Sequence, residues 1–138
     1  MERRQVASRM GALACLITAI VAAAPFVLVD GYTQLVGAYY AAGPVGLTAV
    51  VAFTLVGAVG FASAERGNVD PETMAGALVV LGVVVVGLVG LWWASIDQTV
   101  LYSFPREYRW IEWHPIVVAV ASITVLVTAG AYARSVLA

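Results

Sequence analysis

The sequence predicts an all-α integral membrane protein: a four-transmembrane-helix bundle with a short interfacial helix in the outer loop between helices three and four. Three observations carry that prediction. Of 138 residues, 62% are hydrophobic and only 11% charged, against about 25% charged in soluble domains. The mean hydropathy of +0.96 implies more apolar surface than a domain this small hides from water. Four apolar runs also reach about 20 residues, the helical length that crosses a hydrocarbon core of about 30 Å.

The runs are Met10 to Val29, Val45 to Ala64, Thr73 to Ala94 and Trp113 to Tyr132, so residues 1–138 read as one membrane domain. None holds a charged side chain deep inside. Lipid offers no partner to free backbone groups, so each run must be helical. The first follows MERRQVASRM, the charge order of a secretory signal, and Ala22-Ala23-Ala24 mimics a cleavage site. Its apolar stretch, Gly11 to Val29, is long for a signal core and reads as a retained first span. Pro25 lies within it and kinks it near its outer end.

The next stretch, DGYTQLVGAYYAAG, is too apolar for an ordinary loop. It is either a short interfacial helix or an early start of the second span, broken at Gly43-Pro44. The third span opens on Asp70-Pro71-Glu72-Thr73. That is an N-cap, a proline at the first helical position and an acid in the first turn. His114-Pro115 opens the fourth.

Orientation follows from arginine, since lysine is absent. Arg3, Arg4, Arg9, Arg66 and Arg134 fall on one side of the predicted topology, and Arg106 and Arg109 on the other. The richer side faces the cytoplasm, which places both termini there in a multi-pass protein of the cell membrane. All four tryptophans, with Tyr32, Tyr39, Tyr40, Tyr102 and Tyr108, then lie at the outer side. They form either a one-sided anchoring belt at headgroup depth or a structured cap over something beneath.

Inside the spans the sequence offers packing features. Gly57, Gly60, Gly76, Gly82, Gly87 and Gly90 let helices approach closely. Gly76 and Gly87 share a face by spacing, and Gly82, Gly90 and Ala94 read as a second row. A tight bundle with a self-association face follows. Thr18, Thr48, Thr54, Ser122, Thr124 and Thr128 suit hydrogen bonds to carbonyls of their own helices. Cys15, the single cysteine, reads as a small apolar packing residue.

Several function classes are disfavoured. A net charge of −1 leaves no basic footprint for nucleic acid. No ionisable group sits at membrane depth, where proton- and ion-coupled transporters carry theirs. One His and one Cys make no zinc, haem-pair or iron–sulfur ligand set, and no cofactor is expected.

Chemistry is confined to the outer connection, SIDQTVLYSFPREYRWIEWH. Pro105 starts a short helix there in which Arg106 and Trp110, Arg109 and Trp113, and Trp110 and His114 stack at i,i+4, with Arg109 and Glu112 at i,i+3. His114 reads as an interfacial or capping residue. The candidates for binding a ligand or partner are Arg106, Arg109, Trp110, Glu112, Trp113, His114, Trp92 and Trp93.

Arginine as the only basic residue, the MERR start, four Ala/Val/Gly-rich spans and the aromatic loop together make the chain resemble small four-helix membrane proteins of unknown function from haloarchaeal genomes. That resemblance implies a salt-adapted archaeal source and brings no activity with it. The leading expectation is a non-enzymatic accessory or assembly subunit, embedded in the bilayer as a homo-oligomer or beside a partner membrane protein. The alternative is a module that binds or transports a lipid, quinone or other apolar molecule beneath the outer Trp/Arg cap. A membrane enzyme using Arg109, Glu112 and His114 is a third reading, which needs a pocket joining those side chains.

Overall fold

The computed structural model describes residues 3–43, 46–67 and 69–137, apart from the side chains at 100 and 101. Six α-helices appear in chain order: α1 Arg3–Leu28, α2 Thr33–Tyr40, α3 Gly46–Arg66, α4 Pro71–Ser95, α5 Gln98–Tyr102 and α6 His114–Leu137. A 3₁₀ segment, Arg106–Glu112, precedes α6. Among the described residues there is no strand. Four helices are long and apolar enough to cross a membrane: α1, α3, α4, and α6 with the segment before it. They outrun the predicted spans because the spans count only apolar residues, while the helices continue into polar ends. Pro44 and Val45, part of the expected opening of the second span, lie outside the described residues.

The helix starts follow local chemistry. The Asp70 side chain accepts from the Thr73 hydroxyl at 2.7 Å and the Thr73 N–H at 3.1 Å, with Pro71 in the first turn. Those two bonds hold its carboxyl below the usual carboxylate range. The stretch after α1 forms a separate short helix, α2, and not a continuous early start of α3.

Both α1 and α4 pack against α3 and α6, which puts them at opposite corners of a four-helix square. The start of α1 and the end of α6 lie at one end of the bundle. Arg9 of α1 pairs with Glu65 of α3 there, and Phe61 meets Tyr132 edge-on at 6.5 Å. Small residues such as Ala14, Ala64, Ala75 and Ala129 surround these rings. Cys15 is fully buried and free, as expected of an apolar packing residue. At the other end, which carries the connections α2 and α5 to Glu112, the core is bulkier: Tyr39, Leu47, Trp92 and Ile111 are buried there.

Only 28–39% of each span's most apolar window is buried within the bundle. The rest, including Leu13, Ile20, Val56 and Val127, faces outward. Such continuous apolar surface suits lipid and not water. Five of the six hydroxyls behave as expected: Thr18, Thr54, Ser122, Thr124 and Thr128 each donate to a carbonyl three or four residues back; for Thr48 those carbonyls belong to Pro44 and Val45, outside the described residues.

The glycines divide. A side chain at Gly57 would lie 2.7 Å from Leu81 and 2.9 Å from the Cys15 Sγ, one at Gly60 3.1 Å from Leu78, and one at Gly82 3.0 Å from the Leu126 Cα. Gly76, Gly87 and Gly90 have nothing within 4 Å and open outward. The expected row of Gly82, Gly90 and Ala94 is therefore not one face, since Gly82 is buried and the other two exposed. Eight residues carry an α-helix about 80° past two full turns.

Candidate functional site

The site begins with Pro25. Proline has no N–H to return to the carbonyl four residues back, so the Val21 carbonyl loses its helical partner. The His114 Nε2 takes its place at 2.6 Å. A carbonyl only accepts, so Nε2 carries the proton and Nδ1 is the acceptor. The Tyr39 hydroxyl donates to Nδ1 at 2.5 Å. Beside this link the Tyr40 hydroxyl accepts from the Phe26 N–H at 3.0 Å and donates to the Ala22 carbonyl at 2.7 Å. It bridges two groups that an uninterrupted helix pairs directly. The gap that Pro25 leaves in the hydrogen-bond ladder of α1 is thus filled by polar groups from α2 and α6.

A fourth element closes the cluster. The last carbonyls of a helix lack intrahelical partners, and in α2 the Tyr39 carbonyl accepts from the Trp92 indole N–H of α4 at 2.8 Å. The Tyr39 ring lies 5.1 Å from Trp92, 5.6 Å from His114 and 6.3 Å from Phe104, the first and last edge-on. Burial, and secondarily the neighbouring Tyr40, push the Tyr39 hydroxyl well above the ordinary tyrosine range. Burial raises Tyr40 to about 12, with the Phe26 N–H bond working the other way.

This arrangement revises several expectations. His114 is not at an exposed interface: only 4% of it is accessible, because the carbonyl freed by Pro25 draws it inward. Its partners are Tyr39 and Val21, not Glu107 or Glu112. Trp92 is buried, whereas Trp93 and Trp113 are 45% and 66% exposed. Of the three stacked pairs expected in the outer connection, Trp110 and His114 meet, edge-on at 6.3 Å. Arg106 and Arg109 are exposed and, among the described residues, stack on no tryptophan and pair with no acid. The segment is 3₁₀, with Tyr108 at φ −109° and ψ 23°. Three residues per turn align i with i+3, so i,i+4 pairs diverge. Glu112 is half-buried and is not brought to His114 by any hydrogen bond.

The residues that spacing missed are Tyr39, Tyr40 and Phe104. A signal for them existed: a proline inside a span orphans a carbonyl, and something polar must answer it.

Beside this gap, α2 stands off α1 and α3 and leaves a cavity of about 540 Å³. Ala23, Phe26, Val29, Val36, Tyr40 and Val51 form apolar and aromatic walls. Asp30, Thr33 and Thr48 add polar groups to the lining. At the start of α3, Gly46 has φ +73°, and a Cβ there would collide with the Tyr40 carbonyl, so glycine lets α3 start against the end of α2. None of the lining residues comes from the 95–114 connection, where the sequence placed its candidates. That connection reaches the pocket through Tyr108, whose hydroxyl accepts from the Asp30 N–H at 3.2 Å and whose ring meets Tyr32 edge-on at 5.9 Å.

Residues 1–137 match the model of a family of unknown function (DUF7548), and the chain belongs to that family. No curated protein and no solved structure matches it.

Proposed function

We propose that this DUF7548 member is a non-enzymatic, multi-pass membrane protein that binds a small apolar or amphiphilic molecule between α1, α2 and α3. One observation carries the reading: a cavity of about 540 Å³ with apolar walls and a few polar groups. Ligand pockets run to about 300–1,000 Å³ and share that lining. The outward apolar faces of the four long helices support insertion in lipid. The arginine asymmetry puts the termini in the cytoplasm, with α2 and the Arg106–Glu112 segment at the opposite interface.

Native mass spectrometry after mild extraction tests the reading. A side chain at Gly37 has open space ahead of it, and Gly37 lines the cavity. Wild type is expected to carry a resident small molecule that Gly37→Phe loses. A consistently bare wild type, or a ligand retained unchanged by Gly37→Phe, counts against it.

A second reading, an accessory or oligomer-forming subunit, has its own observation. On α4, Thr73, Gly76, Val80, Val83, Gly87 and Gly90 are all exposed, at alternating steps of three and four. That is the seam of a left-handed helix pair, with small residues that allow close approach in lipid. Disulfide cross-linking of Gly87→Cys in native membranes is expected to give a dimer or a captured partner. Monomer alone would remove this reading.

A further inference from the structure

We infer that the molecule held between α1, α2 and α3 is a lipophilic cation: one apolar body or chain ending in an amine or quaternary ammonium. The inference rests on the pocket reading above and adds the charge of the ligand. Asp30 is the charged residue of the lining, and no basic side chain lines the cavity. Among the described residues the Asp30 carboxylate has no ion-pair or hydrogen-bond partner; its backbone N–H alone is engaged, by Tyr108. The mouth also receives the C-terminal end of α1, which closes at Leu28 with no basic residue in its last turn. A helix C-terminus carries partial negative charge that a nearby cation normally offsets. Two negative sources therefore converge on a lining that contains no basic side chain.

The walls fit the same ligand. Phe26 is 73% and Tyr32 37% exposed, and both face the cavity with Tyr40. Aromatic faces attract ammonium groups through the ring quadrupole. An anionic head meets repulsion from Asp30 and the helix end, and a neutral one gains nothing from the exposed carboxylate. The volume of about 540 Å³ suits one drug-sized molecule. The occupant is accordingly a single small amphiphile.

The test uses the full chain in nanodiscs of zwitterionic lipid and three photoreactive alkyl probes of equal chain length, ending in trimethylammonium, sulfate or hydroxyl. Labelled residues are read by peptide mass spectrometry. The ammonium probe is expected to label residues 23–51 about tenfold more than the sulfate probe, the size of one partly screened charge contact. Asp30→Asn is expected to bring ammonium labelling down to the hydroxyl level. Glu107→Gln, an exposed acid outside the cavity lining, is expected to change nothing. Equal labelling by ammonium and sulfate, an unaltered Asp30→Asn, or an equal loss in Glu107→Gln overturns the charge assignment while leaving the pocket in place. Failure of all three probes to label the lining overturns the pocket reading and the inference together.

Discussion

Replacing His114 by Phe tests whether Pro25 is the reason for the buried histidine. Phenylalanine keeps a ring against Tyr39, Trp92 and Trp110 but removes both polar contacts. Two groups are then orphaned: the Val21 carbonyl and the Tyr39 hydroxyl. An unsatisfied buried group costs about 1–3 kcal/mol, so with two groups orphaned His114→Phe should destabilise by about 2–6 kcal/mol. In a Pro25→Ala background the restored N–H at position 25 can serve the Val21 carbonyl. His114→Phe should then cost only the Tyr39 part, about 1–3 kcal/mol. The expected coupling between the two positions is about 1–3 kcal/mol. Tyr39→Phe is the control: it orphans the His114 Nδ1, which Pro25 does not touch, so it should add to Pro25→Ala within about 0.5 kcal/mol. Equilibrium unfolding in mixed micelles supplies all the corners of both cycles. If His114→Phe and Pro25→Ala are also additive within about 0.5 kcal/mol, Pro25 does not explain the histidine.

Other outcomes follow from the same geometry. Tyr40→Phe should cost only about 1 kcal/mol, because the Phe26 N–H and Ala22 carbonyl it leaves behind can pair with each other; a loss as large as that of His114→Phe refutes this. Folding favours the protonated form of Tyr40, so its contribution is present below about pH 10 and is lost as pH rises toward about 12. Tyr39 extends that loss to higher pH. Unfolding midpoints between about pH 9 and about pH 12 should fall more steeply for wild type than for Tyr40→Phe. Asp70 acts in the opposite direction: its depressed carboxyl stabilises above its ordinary range, and that contribution is lost on acidification. Asp70→Asn should flatten the acid limb of the same curve. Gly82→Ala should be less stable than Gly87→Ala by about 1–3 kcal/mol, since only the former forces a Cβ against the Leu126 backbone; equal thermal midpoints contradict that.

The four long helices were legible because lipid-length apolar runs have one backbone solution. The Asp70 cap was legible because it depends on its nearest neighbours in the chain, and the burial of Cys15 because a lone thiol in an apolar run packs as a small apolar side chain. The face of a glycine was less so. Gly82 and Gly90 were grouped by spacing, yet only contact with Leu126 distinguishes them. The stacking pattern drawn for the outer connection assumed an α-helix, and a 3₁₀ segment broke it. Its tryptophans were conspicuous by composition, while the cavity formed from Ala23 to Val51, among residues with no unusual chemistry.

By itself the sequence determined what each segment must avoid: free backbone groups in an apolar surround, charge at depth, and a proline left unanswered. Those are local requirements, read from composition, length and spacing. It did not determine who answers whom. His114 lies 93 residues from the carbonyl it serves and 75 from the hydroxyl that serves it. Only the square packing of the helices brings these groups within hydrogen-bond distance. The cavity beside them has the same origin, because α2 braces the gap in α1 through Tyr40 while Gly46 sets the distance at which α3 begins.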